Sequence, residues 1–142
     1  MSKIIIDGLE ITLKQVEQED FLSLTDLARR REQSEPSRII TNWLRNRNTL
    51  EFLEAWEKMH NSNFKPTQMR GFKLFAGDNR NLISIKKYLE MTEATGIISK
   101  AGRYGGTFAH VDIALEFASW LEPVFRLYIW KDYQRLKKEE YH

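Results

Sequence analysis

A chain of 142 residues with 42% apolar and 30% charged side chains can bury one core without covalent staples. Zero cysteines exclude a disulfide framework and thiolate metal sites, and the three histidines (His60, His110, His142) lack metal-ligand spacing. Net charge is only +2, no apolar run is long enough to span a membrane, and no signal-peptide pattern opens the chain. These totals describe a soluble intracellular domain.

Charge is unevenly spread. Residues 1–20 hold five acids and two bases, and residues 62–110 hold eight bases and three acids. Thr25–Arg47 holds six arginines against three acids. Two basic regions in an otherwise acidic or neutral chain can make a basic face, provided that folding brings them together.

In chain order, Ile4–Leu13 reads as two β-rich runs around Asp7-Gly8, a hairpin signal, with Leu9, Ile11 and Leu13 on the buried face. Phe21, Leu22 and Leu24 fit a third strand, after which Thr25 is expected to cap the first of two short helices. Ser34 as cap and Pro36 in the first turn start the second. There Ile39, Ile40, Trp43 and Leu44 share one face, and Arg38, Asn42 and Arg45 share the other. A guanidinium matches the guanine edge and a carboxamide the adenine edge, so this helix suits a DNA major groove. Periodicity alone fits a solvated amphipathic helix equally well.

Asn48, three residues before Glu51, resembles a capping box and predicts a third helix. Leu50, Phe52, Leu53, Trp56 and Met59 form its apolar stripe, and Glu51, Glu54 and Glu57 face away. Phosphate would repel that acidic face, so the helix belongs behind a binding surface. The three glutamates with His60 invite a metal-dependent nuclease, but their spacing is also that of an exposed helix face, and no enzyme is expected.

Residues 61–81 read as loops with one short helix at 72–76, made basic by Lys65, Arg70, Lys73 and Arg80. Ser84 is expected to cap the next helix, with Ile85, Tyr88, Leu89 and Thr92 inward and Gly96 as its stop. Ile97-Ile98 and Thr107–Ala109 are strand-like and flank a turn with three glycines and Lys100, Arg103 and Tyr104. GxxxxGK[ST] is absent, so nucleotide binding is not expected. A basic, glycine-rich hairpin tip has the make-up of a wing, and also of an ordinary turn. Two helices close the chain. Ile113, Ala114, Phe117, Ala118 and Leu121 form the stripe of the first. Pro123 opens the second, with Phe125, Tyr128, Ile129, Tyr133 and Leu136 inward and Lys131, Arg135, Lys137 and Lys138 outward or near the end. The chain stops amid charge at KKEEYH, as a domain cut from a longer protein would.

Three stretches taken together resemble the KilA-N family of phage, bacterial and large DNA-virus proteins. They are TDLA (Thr25–Ala28), ITNWLRNRNTLEFLEAWE (Ile40–Glu57) and GIISKAGRYGGTFAHVDIALEFASWLEPVF (Gly96–Phe125), within a match over roughly residues 20–138. The resemblance implies a single α+β domain over 1–142 related to the fungal APSES DNA-binding domains. That is a winged helix-turn-helix-like fold with an N-terminal β-hairpin and C-terminal helices. It puts the helix-turn-helix on Thr25–Arg47 and the wing on Ile97–Ala109. It also implies double-stranded DNA as partner, no cofactor or metal, and a phage or prophage regulator working in the bacterial cytoplasm. Arg38, Asn42, Arg45, Asn46 and Arg47 would then enter the major groove. Lys100, Arg103 and Tyr104 would hold adjacent phosphates or the minor groove, and Lys65, Arg70 and Lys73 would add phosphate contacts. The alternative is an antirepressor-type module that grips a host or phage regulatory protein through Trp120, Trp130 and Tyr133, without sequence-specific DNA binding. Proteins of the family often carry a second domain after this unit, which bears on the biological role, antirepressor or regulator.

Overall fold

A computed structural model describes residues 2–6, 8–76, 84–102 and 105–140. Its frame is a five-stranded antiparallel sheet in the order β1-β2-β3-β5-β4. The strands are β1 (Ser2–Ile6), β2 (Leu9–Val16), β3 (Glu19–Ser23), β4 (Ile97–Lys100) and β5 (Gly106–His110). The hairpin expected around Gly8 is present, with Ile4 opposite Ile11. The two-residue turn from β2 to β3 is Glu17-Gln18, both at positive φ (51° and 69°), which is the geometry that tight hairpins need and that Asn-Gly normally supplies. β3 then pairs with β5, so the N-terminal hairpin and the glycine-rich hairpin belong to one sheet.

Register sets the two faces. Ile4 and Ile11, Leu13 and Leu22, and Ala109 with Ile97 lie on one face, and all six are buried. The helices α1 (Leu24–Ala28), α2 (Pro36–Leu44), α3 (Arg47–His60), α4 (Pro66–Leu74), α5 (Ile85–Thr92), α6 (Val111–Leu121) and α7 (Pro123–Glu140) complete the fold. α6 lies at the centre, against β3, β5, α1 and α7. Ile113, Ala114, Phe117, Ala118 and Leu121 are all buried, and the two alanines let its neighbours approach closely. His110 caps α6, its Nδ1 accepting the Asp112 N–H at 3.1 Å.

Several local expectations are corrected. Ser23, not Thr25, caps α1, accepting the Asp26 N–H at 3.0 Å. Pro36 does open α2, but the cap position is Glu35 and makes no side-chain bond. The Ser34 hydroxyl instead donates to Glu32, and this bond is the main reason that the Glu32 carboxyl is held below its usual range. α3 starts at Arg47 with Asn46 before it, two residues earlier than the Asn48 pattern suggests. Met59, assigned to its apolar stripe, is 78% exposed. The basic segment carries helix α4 over Pro66–Leu74, opened by a proline, in place of a loop with a helix at 72–76. Ser84 caps α5 as expected, accepting the Lys87 N–H, but α5 ends at Thr92 on a left-handed Glu93 (φ 55°) and not at Gly96. A Cβ on Gly96 would lie 2.5 Å from Ile113 and 2.8 Å from the Trp56 ring, so this glycine serves close packing. In α7, Phe125 and Ile129 are buried, whereas Tyr128 faces outward.

Candidate nucleic-acid interface

α2 divides as its spacing predicts. Ile40, Trp43 and Leu44 are buried, and the Trp43 indole meets the Phe117 ring edge-on at 5.0 Å. Arg38 and Asn42 are exposed and Arg45 is half-buried. The Asn42 carbonyl oxygen accepts from an Arg45 guanidinium nitrogen at 3.4 Å, which sets an amide and a guanidinium side by side on the outer face. Arg38 pairs loosely with Glu32 and Glu35, at 3.8 and 3.9 Å. At the corner into α3, the Asn46 amide donates to the carbonyls of Asn42 and Trp43 at 3.2 and 3.3 Å, and so fastens the end of α2. Arg47 pairs with Glu51 at 3.2 Å. Exposed pairs of this kind are worth roughly 0–1 kcal/mol, so a ligand can displace them at little cost.

The other three arginines of Thr25–Arg47 do different work. Arg29 pairs with Asp26 at 2.7 Å, and Asp26 also accepts the Thr12 N–H of β2 at 2.8 Å. Arg30 lies over the Phe125 ring at 5.3 Å. Arg31 donates to the Leu121 carbonyl and lies over Trp120 at 6.0 Å. Arg30 and Arg31 thus tie the end of α1 to the corner between α6 and α7, and Arg29 is held within the end of α1. The high arginine count of the segment therefore overstated the charge available to a ligand.

The hairpin of β4 and β5 forms where the strand-like runs predicted, with Lys100 opposite Gly106 and exposed. Arg103 and Tyr104 fall outside the described residues. A Cβ on Gly105 would lie 2.1 Å from the Lys100 carbonyl oxygen, and Gly106 has φ +141°, so the turn needs both glycines. Thr25, freed from the capping role, accepts the Thr107 N–H on its hydroxyl at 3.0 Å. This bond docks the base of the hairpin on α1, and α1 in turn packs against α2. The expected recognition helix and the expected wing thus share one support.

The third basic group is placed elsewhere. α4 packs on α3 and α5. Lys73 is only 19% exposed and binds Glu54 at 2.8 Å, and Lys65 pairs with Glu93 at 3.0 Å. Arg70 is exposed. Glu57, expected on the acidic outer face of α3, is buried. Its carboxylate accepts the N–H groups of Thr95 and Gly96, at 2.9 and 2.7 Å, and the Asn61 amide at 2.8 Å. It holds the start of β4, and is committed to that task rather than to an outward acidic set with Glu51 and Glu54. Among the described residues, no group of three or more His, Cys, Asp or Glu is placed to hold a metal. No described helix is long and apolar enough to cross a membrane.

On α6 and α7, Trp120, Val124, Leu127 and Trp130 are substantially exposed. Leu115, Pro123, Arg126, Leu127 and Trp130 line a shallow groove of about 360 Å³. Trp130 stacks on Tyr133 at 5.8 Å, and Tyr133 is half-buried.

Comparison with known proteins adds two findings. Residues 4–139 match the KilA-N domain. A stretch of 31 residues is 58% identical to the protein kilA of Escherichia phage P1, covering 22% of this chain and 12% of that protein. The chain therefore corresponds to a small part of that relative's length. No solved structure matches.

Proposed function

Because the chain belongs to the KilA-N family, a family of DNA-binding domains, we propose that it binds double-stranded DNA with α2 in the major groove and the β4–β5 hairpin as a wing, as part of a phage or prophage regulator. The observation that carries this reading is the outer face of α2. Asn42 and Arg45 stand in contact there, on and just past the end of a helix whose Ile40, Trp43 and Leu44 are buried, so the groups that would read base edges are held on a rigid support. Arg38 and Arg47 flank them, and Lys100 projects from the hairpin that α1 couples to α2. Arg103 and Tyr104 would extend the wing contact. Arg70 and Lys65 are candidates for outlying phosphate contacts. Lys73 is the weakest candidate of the basic set, since its ammonium already neutralises Glu54.

Selection from random duplexes with the purified chain tests the proposal. Enrichment of a motif that Asn42→Ala or Arg45→Ala relaxes at one base pair supports it. A chain that retains no duplex at low salt refutes it.

The second reading, an antirepressor-type module, is favoured by the exposed Trp120, Leu127 and Trp130 around the α6–α7 groove. Salt separates the two. Phosphate binding weakens steeply as salt rises, whereas aromatic docking does not.

A further inference from the structure

We propose that Lys14 and Lys100 form a two-lysine clamp for a backbone phosphate, which would bring strand β2 of the N-terminal hairpin into the DNA interface. The inference rests on the DNA-binding reading and adds a residue that the basic segments of the sequence do not contain. Lys14 lies in the first twenty residues, which hold five acids and two bases. Folding changes its surroundings. Lys14 is on the sheet face opposite the core, in register with Phe21, and its ammonium reaches over the Phe108 ring of β5, 5.6 Å from the centroid. Lys100 is the last residue of β4, beside the wing turn; opposite Gly106, it lies on the same sheet face as Phe108, which makes it a neighbour of Lys14 across that ring.

Two neighbouring cations repel, and the lysines that have acidic partners show how this chain usually balances such charge. Lys3 binds Glu10, Lys65 binds Glu93, Lys73 binds Glu54, and Lys137 binds Asp20 and Glu140. Among the described residues, neither Lys14 nor Lys100 has an acidic partner. Proximity to the Lys100 ammonium, then partial desolvation, holds the Lys14 ammonium below the ordinary lysine range. An anion between the two would turn this repulsion into two charge-assisted bonds. A phosphodiester suits the geometry. It offers two charged oxygens to two separate point donors, and an open site beside a wing can admit a duplex backbone. The Phe108 ring beneath forms an apolar floor, buried in the sheet.

The test is duplex binding by the full chain across a salt series, for the wild type, Lys14→Gln and Lys14→Arg. Lys14→Gln removes the charge and keeps the first two methylenes of the stem, and it relieves the repulsion with Lys100, so its melting temperature should not fall below that of the wild type. Its slope of log K against log salt should shrink by about 0.9, the value of one lost phosphate contact, with affinity falling alike for selected and random duplexes. Lys14→Arg should restore the slope. In parallel, the side-chain ammonium NMR signals of Lys14 and Lys100 are followed on addition of a duplex and, separately, of inorganic phosphate. Both should shift with the duplex. If the wild type binds DNA and Lys14→Gln leaves slope and affinity intact, the clamp is overturned and the DNA-binding reading survives. If the wild type binds no duplex, both fall. A response to inorganic phosphate without one to DNA overturns the backbone assignment in favour of a free-phosphate site.

Discussion

Trp43 and Asn42 are neighbours in sequence with opposite tasks, and substitutions at the two should separate folding from recognition. The Trp43 indole is fully buried against Phe117, and its N–H has no hydrogen-bond partner among the described residues. Truncating a buried aromatic costs roughly 3–5 kcal/mol, so Trp43→Ala should lower the denaturant midpoint strongly. Trp43→Phe should cost much less, since it also removes an unpaired donor. Denaturant melts of the two variants check this. Asn42→Ala and Arg45→Ala should leave the melt nearly unchanged and each lose roughly 1–3 kcal/mol of discrimination at one base pair, read by competition between selected and mismatched duplexes. Equal losses on specific and random DNA would remove these residues from the reading face. The division of α2 into Ile40/Trp43/Leu44 and Arg38/Asn42/Arg45 was legible because helical period alone decides it. Glu57 was not legible. It continues the three-residue spacing of Glu51 and Glu54, and only the arrival of Thr95 and Gly96 from a distant part of the chain makes it a buried acceptor.

At the scale of elements, the same carboxylate joins α3 to the start of β4, and so to the hairpin expected to carry the wing. Glu57→Ala would leave the Gly96 N–H, and in part that of Thr95, without a partner in a packed site. Each unpaired buried donor costs roughly 1–3 kcal/mol, so a loss of about 3 kcal/mol is expected. Hydrogen exchange at Thr95, Gly96 and the β4 amides should accelerate before that of β1 and β2. Uniform acceleration across the sheet would show that Glu57 holds no particular element. The hairpin elements were legible where turn chemistry is explicit, as at Asp7-Gly8 and the glycines after Lys100. β3 was legible as a strand from its apolar run, but its pairing with β2 was not, because Glu17-Gln18 carries no turn signature although it makes a tight turn. α4 was expected only as a short helix at 72–76, because Gly71 interrupts its pattern and Met69 is its one buried residue, which leaves hardly any stripe to detect. The candidate interface was legible as a set of basic segments. Which of the bases were available was not, because Arg30, Arg31 and Lys73 find their partners on other elements, and Arg29 is held by Asp26 of the helix it ends.

For the molecule as a whole, the last helix works as a strap across the sheet, and its fastening should respond to pH. Asp132 of α7 accepts the Ile5 N–H of β1 at 2.7 Å, while Asp20 of β3 receives the Tyr133 hydroxyl at 2.9 Å and the Lys137 ammonium at 3.1 Å. Burial first, and then the bond to Asp20, push the Tyr133 hydroxyl from its usual value of 10 up to about 12. The folded state therefore holds this proton more tightly than the unfolded chain does. Tyr133 contributes stability that is fully present below pH 10 and is lost as pH rises through about 12, where a phenolate would face the Asp20 carboxylate. Other groups titrate in the same range. Lys137, bonded to Glu140 and Asp20, also holds its proton more tightly than usual, and burial does the same for Tyr88. A fall in wild-type stability at high pH is thus not specific to Tyr133, and the useful quantity is a difference. Tyr133→Phe keeps the ring stacked on Trp130 and removes only the hydroxyl. Its urea midpoint should lie below that of the wild type at pH 8, and the two curves should converge between pH 10 and 12 as the wild type loses the Asp20 bond. A constant gap across that range would mean that the hydroxyl contributes through packing alone, and that α7 is fastened to β3 by Lys137.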